Sequence, residues 1–423
     1  MVGYDVLVVG GGIIGLTAAY YVKLAHKNLS VAILERERDV GQGNTAKSVG
    51  GYRHGIFTSY VNQTLAETTV EHFRLVEESG EAKLNMRDVG YLILMDKHRL
   101  EKVAHVLERF TKAGKAALLD QQQLVESFGL KTSFSDDEEA VLMGVEDIVK
   151  GLFAPKCGML DVDKVVQLYK QRCLNEGVDI VAQTNVERLV LEPERPLGIP
   201  NEPRAWQKCR VGGVIANGTT YKAKNLIVAA GSWTPELLDP IGVDCFVKPK
   251  KRQLYVIKAS DELEALLNRR WDNDRGMPMM FFPNGLYIVP RTEEKSFWVS
   301  LTDDVGRPFG HDYEADPRFY YDNVYPLLCR YYPQFTGARP FNMWAGCYSM
   351  NNLDGNPLVF KFLNCVVATG GSGSGVMKCD AIGRIAEAVL FDKPYATLHG
   401  GIKFEVARIG VVSRQVDKEY LIL

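Results

Sequence analysis

The stretch Tyr4–Gly15, YDVLVVGGGIIG, constrains the fold of this chain more than any other. An apolar run with the composition of a buried parallel strand leads into Gly10, Gly12 and Gly15 at GxGxxG spacing, and a helical pattern follows from Leu16 to Leu24. Gly10 permits the tight turn, Gly12 lets the backbone approach a pyrophosphate, and Gly15 lets the helix lie close on the strand. The N–H groups at the helix start, around Ile13 and Ile14, face outward with the positive end of the helix dipole, which suits phosphate. A second apolar strand, Ser30 to Leu34, ends in Glu35, placed to accept hydrogen bonds from a ribose hydroxyl pair, with Arg36 beside it. An acid here disfavours a 2′-phosphate and so argues against NADP.

A chain of 423 residues exceeds what one hydrophobic core usually serves, so two domains are expected. Its 46% apolar and 24% charged content is that of a globular protein, and a net charge of −2 gives no electrostatic reason to bind nucleic acid. No apolar run reaches the roughly eighteen residues of a membrane span. The first strand begins almost at Met1, which leaves no room for a signal peptide; a cytoplasmic location is expected, with peripheral membrane attachment left open. The eight cysteines form no CxxC pairs and the seven histidines no HExxH, so neither a metal site nor a disulfide framework is expected.

Beyond Glu35, the segment Gly41–Arg53 (GQGNTAKSVGGYR) is too rich in glycine and small residues for a helix or strand and reads as an ordered loop close to a ligand. Further on come NLIVAAGSWTPEL from Asn225, WAGCYSMNNLDGNP from Trp344 and CVVATGGSGSGVMK from Cys365; the last is a strand, glycine turn and helix start. In this order the motifs resemble the FAD-dependent D-amino-acid oxidase and sarcosine oxidase family, and the whole-chain pattern is similar to archaeal dye-linked L-proline dehydrogenases. The resemblance implies a Rossmann-type FAD domain interleaved with an antiparallel-sheet substrate domain, the p-hydroxybenzoate-hydroxylase-like architecture. The FAD domain would comprise residues 1–80, 152–235 and 342–405, the substrate domain 81–151 and 236–341, and a tail 406–423. FAD contacts are implied at Asn44, Thr45, Ala46, Lys47 and Ser48 in the loop, at Val186, Ala230, Gly231 and Trp233, and at Gly346 and Cys347. They are also implied across the closing turn, at Gly371, Gly373, Ser374, Gly375, Val376, Met377 and Lys378.

Three residues are carried over as catalytic. Arg53 suits bidentate capture of an amino-acid carboxylate, Tyr287 matches a substrate-side tyrosine in a Y-x-x-P pattern, and Lys378 is a second cation in the closing turn. Each has a plainer reading: a structural ion pair, a half-buried strand tyrosine and a lysine pointing away. Trp298 stands where the oxidases carry a lysine that promotes reaction of reduced flavin with oxygen, and a neutral indole supplies no such charge. Cys347 lies near the cysteine that binds flavin covalently in some sarcosine oxidases, but non-covalent FAD is the expectation. The implied activity is an FAD-dependent dehydrogenase that oxidises a secondary amino acid, L-proline or sarcosine in type, to the imine by hydride transfer to flavin N5. Electrons would pass to a quinone or dye-like acceptor. A 2-hydroxy-acid or glycerol-phosphate dehydrogenase and a non-catalytic flavin-bearing assembly factor remain as rivals, and a homo-oligomer stays open. The apolar tail Tyr420–Leu423 reads either as a cover for the active site or as a subunit contact.

Overall fold

The apolar runs of the nucleotide motif become the centre of a sheet because both of its faces are covered. The computed structural model describes residues 2–272, 274–303 and 305–422, and in it Val6, Leu7 and Val8 are wholly buried. Strand Val2–Val9 runs parallel to Val31–Leu34 on one side and Thr219–Val228 on the other; Asp179–Val181 and Cys365–Thr369 extend the parallel set outward. Strands buried on both faces read as continuous apolar stretches, which is why VLVV, VAIL and CVVAT were legible. Helices Ile13–Ala25, Val162–Asn175 and Cys379–Leu390 pack together against this sheet. Gly383 lets two of them touch, since a Cβ there would lie 2.6 Å from the Cβ of Thr17. Asp161 is the N-cap of helix Val162–Asn175, accepting from Asp163 N at 3.1 Å.

Asp380 ties the helices of this domain together. Its wholly buried carboxylate accepts from the hydroxyls of Tyr21 and Tyr169 and from Arg384 Nε, and His72 lies beside it. Burial pushes this carboxyl up, but His72, Arg384 and the two hydroxyls together hold it below its ordinary value.

The second sheet runs in the order Pro340–Asn351, Val247–Lys258, Ser296–Leu301, Leu286–Arg291, Met279–Phe281, Tyr91–Met95, Lys150–Ala154 and Ala117–Asp120. It departs from the expectation of an antiparallel sheet at one seam, where Met279–Phe281 lies parallel to Tyr91–Met95. Met279–Phe281 and Leu286–Arg291 form a hairpin that turns at Asn284 and Gly285, where Gly285 adopts φ +84°. Two expected borders shift as well. Pro340–Asn351 pairs along its length with Val247–Lys258, so the return to the nucleotide domain comes after residue 351 rather than at 342. Lys150–Ala154 likewise pairs with Tyr91–Met95, so the substrate sheet extends past 151. Helix Tyr60–Glu78 packs beside Cys379–Leu390 in the nucleotide domain, its start capped by Ser59, whose hydroxyl accepts from Asn62 N at 3.4 Å. No helix among the described residues is long and apolar enough to cross a membrane.

Candidate active site

A continuous cavity of about 1020 Å³ runs from the first glycine turn to the inner face of the second sheet. At its nucleotide end the backbone does the shaping. Gly10 holds φ +100°, and a Cβ there would come 2.7 Å from the carbonyl oxygen of Ala229. Gly15 has no wall position; a Cβ on it would meet Gly10 O at 1.9 Å, so its role is to let the helix seat on the strand. Gly12 is a helix N-cap with no side chain over it, while Ile13 N donates to Thr45 Oγ1 at 3.2 Å. Glu35 is held by Gly11 N at 2.7 Å and Glu37 N at 2.8 Å, which fixes its carboxylate at the end of the second strand. The Arg36 guanidinium lies 4.2 Å over the ring of Trp233, and His311 stacks on the same indole at 5.1 Å and 9°.

The loop that follows is fastened to both domains. Asn44 donates to Ser232 Oγ at 3.0 Å and accepts from Cys347 N at 2.8 Å, and Trp344 Nε1 donates to Lys47 O at 3.2 Å. Asn44, Thr45, Lys47 and Ser48 line the cavity, as do Val186, Ala230, Gly231 and Gly346. Ala46 is a correction: it is exposed and outside the lining, because its turn of 3₁₀ helix faces it to solvent. Gly371, Gly373, Ser374, Gly375, Val376 and Met377 form the opposite wall. Gly373 at φ +83° packs on Tyr348, whose ring carbon would lie 2.4 Å from a Cβ there. An uncovered helix start, a fixed acid at the second strand and two glycine turns facing one elongated cavity fit the phosphates, ribose and ring of a flavin dinucleotide.

Cys347 turns its sulfur toward the carbonyl oxygens of Gly310 and Asp312, each at 3.6 Å, and is 1% exposed. Burial, before any other influence, pushes its thiol up. Trp298 lies outside the lining. It packs edge-on against Trp344, which is in the lining, and its own face is covered by the Arg291 guanidinium at 4.3 Å.

The far end of the cavity is made by side chains. Arg53 donates from Nη1 to Leu421 O at 2.8 Å and lies 4.2 Å over the ring of Phe57. Lys378, for which the plainer reading was a lysine pointing away, is 1% exposed and directed into the lining; Nζ donates to Asn62 Oδ1 at 2.5 Å and to Ser374 Oγ at 2.6 Å. Burial and the neighbouring Arg53 charge pull this ammonium down to about 7. Tyr287 lines the same end, together with Tyr91, Phe281 and Tyr348. Burial pushes all three tyrosine hydroxyls up, so they stand as neutral donors near a cation.

Several of these residues had not been singled out from sequence. Tyr91, Phe281 and Tyr348 had read only as strand or motif positions. Asn62 carried a signal: a polar side chain three, seven and eleven residues before Leu65, Thr69 and Phe73, on the buried face of its helix. Among the described residues no group of three or more His, Cys, Asp or Glu side chains could hold a metal.

A mixed-sheet nucleotide domain joined to a second sheet over one long cavity is the fold of FAD-dependent oxidoreductases of the DAO type. The chain belongs to the DAO family of FAD-dependent oxidoreductases, whose model matches residues 5–388, and its cofactor is FAD. It is 25% identical over 426 residues to FAD-dependent oxidoreductase domain-containing protein 1 of Bos taurus, covering 91% of this chain and 81% of that protein. It is 24% identical over 398 residues to monomeric sarcosine oxidase of Bacillus sp. (strain B-0618), covering 90% of each. The structure of L-proline dehydrogenase from P. horikoshii superposes with a TM-score of 0.71 at 19% identity, over 92% of this chain and 94% of that one.

Proposed function

We propose that the protein is an amino-acid dehydrogenase whose substrate is a secondary amino acid of the L-proline or sarcosine type. The observation that carries this reading is the pairing of Arg53 with Lys378 at the walled end of the cavity, framed by Tyr91, Phe281 and Tyr287. A guanidinium with several N–H donors suits a carboxylate, and its burial beside the lysine strengthens the attraction in a low local dielectric. The aromatic wall, with Tyr91 and Phe281 rings 4.9 Å apart and Phe281 and Tyr287 6.0 Å apart, suits the apolar body of a small ring or an N-methyl group. The carboxylate anchor orients the substrate so that the C–H bond beside the nitrogen is presented to one face of the cofactor. When bound, the flavin supplies the two-electron acceptor. The protein's remaining task concerns the amine, which must bind or become unprotonated before oxidation. Lys378, lowered to about 7, is a suitable group to share that proton.

FAD is held without a covalent bond in this reading, since the Cys347 sulfur is occupied with carbonyl oxygens of the 310–312 segment. A quinone or other carrier, rather than oxygen, is the acceptor in this reading: by the family pattern Trp298 stands where the oxidases carry a lysine, and its neutral indole, which lies behind Trp344 and outside the cavity lining, brings no positive charge to the flavin. The test is anaerobic mixing of the purified flavoprotein with L-proline, sarcosine, D-amino acids and 2-hydroxy acids in parallel. Bleaching by proline or sarcosine, with slow recovery in air, is the expected result. Bleaching by hydroxy acids alone would move the assignment to C–OH oxidation, and a yellow protein bleached by nothing would favour an assembly role.

A further inference from the structure

Near the end of the chain, Asp417, Lys418, Glu419 and Ile422 line the same cavity as Arg53. Asp417 accepts from Tyr60 N at 2.7 Å and Ser59 Oγ at 3.2 Å. Glu419 accepts from Thr58 N at 3.1 Å, Thr58 Oγ1 at 2.8 Å, Ser59 N at 3.3 Å and Asn62 Nδ2 at 3.3 Å. Tyr420 N donates to Thr58 Oγ1 at 2.7 Å, Arg99 Nη2 donates to Ile422 O at 3.0 Å, and the Leu421 side chain is wholly buried. Two carboxylates are therefore seated at the start of helix Tyr60–Glu78, where the helix dipole favours them. Leu421 O takes one Nη1 donor of Arg53, and Asn62 joins Glu419 to Lys378 by giving one hydrogen bond and taking the other. The Glu419 carboxylate lies close enough to stabilise both cations.

We propose that residues 417–422 are a fixed wall of the substrate chamber, and that Glu419 is a specificity-determining residue restricting the chamber to acids with a single carboxylate. This rests on the reading of Arg53 as the carboxylate anchor. The wall is fixed because so many hydrogen bonds and a buried leucine hold it, whereas an incoming acid offers only its own few contacts to displace it. The restriction follows from charge. Glu419 already neutralises part of the positive field of Arg53 and Lys378, and a substrate's second carboxylate would approach a half-buried, fixed like charge. Leu421, through its carbonyl, positions Arg53 by occupying one Nη1 donor and leaving the rest of the fork for the substrate.

The experiment titrates the FAD-loaded, full-length protein with acetate and with malonate at constant ionic strength, reading the flavin absorption band. The expected result is acetate binding tighter than malonate by about tenfold or more, with Glu419→Gln narrowing that ratio about tenfold and Glu419→Asp keeping it. Malonate binding the native protein as tightly as acetate, or an unmoved ratio in Glu419→Gln, overturns the proposal. Arg53→Met separates the two layers of the argument. Acetate binding that survives it refutes the anchor reading itself, whereas loss of acetate binding together with an unmoved Glu419→Gln ratio refutes only the role of Glu419. Hydrogen exchange on the native protein needs no variant: slow amides at Tyr420 and Leu421, unchanged by acetate, are expected, and exchange that acetate accelerates would show a displaceable plug instead of a wall.

Discussion

The two ends of the cavity are built in opposite ways. At the nucleotide end the shape is set by glycine main chain, at Gly10, Gly12, Gly371 and Gly375, and by the fixed carboxylate of Glu35. At the other end the lining is side chains drawn from distant segments: Arg53 and Asn62 from the first sixth of the chain, Tyr91 and Tyr287 from separate strands, Lys378 from the closing turn and Glu419 from the last residues. A site made of backbone tolerates little change of shape but accepts many side chains nearby. A site made of side chains tolerates substitution structurally and fails chemically.

The sharpest way to break this contrast is at Gly10. Any side chain there must overcome both φ +100° and a contact of 2.7 Å with Ala229 O, so Gly10→Val should leave a purified protein with essentially no flavin, read as the ratio of 450 to 280 nm absorbance. Substitution at the other end should spare the cofactor. Arg53→Met is expected to retain full flavin content and to lose roughly two to three orders of magnitude in kcat/KM for an amino-acid substrate, the usual scale for removing a buried charge partner. An Arg53→Met protein that loses flavin and activity together would erase the distinction between the two ends.

Lys378 gives a finer test. Because its folded-state value is lowered to about 7, its positive charge is present below that pH and lost as pH rises through it. Acetate affinity should therefore fall by about tenfold from pH 6 to pH 8 in the native protein and become nearly flat in Lys378→Met. The smallest effect belongs to Cys347. Its sulfur faces carbonyl oxygens of the 310–312 loop, so Cys347→Ser should alter activity by less than about twofold, and acid precipitation should release free flavin from both proteins.

The same contrast explains what could be read from the sequence. The nucleotide end was legible because its requirements are local: a glycine at Gly10 is needed by its own dihedral angle and its own neighbour, and the spacing to Gly15 and Glu35 is set within one strand-turn-helix-strand unit. Arg53 and Tyr287 were found only through the family pattern. Lys378 kept two readings because sequence cannot say which way a residue points in a turn; the hydrogen bonds to Asn62 and Ser374 set its direction. Tyr91, Tyr348 and Glu419 were missed because their importance arises from contacts between segments hundreds of residues apart, for which a single chain carries no periodic or spacing signal. The strand Pro340–Asn351 was placed in the wrong domain for a related reason. Its motif does face the cofactor, but its hydrogen-bonding partner is Val247–Lys258, and motif position says nothing of ladder partners.

The carboxylate of Asp380 follows Lys378 by two residues and is bonded to tyrosines of two other helices. The ammonium therefore inherits its location from the rear of the nucleotide domain. Tyr21 and Tyr169 line no part of the cavity, yet trimming either hydroxyl would remove one of the three donors that hold this buried acid and loosen the helix start that carries the lysine. Loss of turnover after such a remote change would be a fault of aim, with every group that meets the substrate still present.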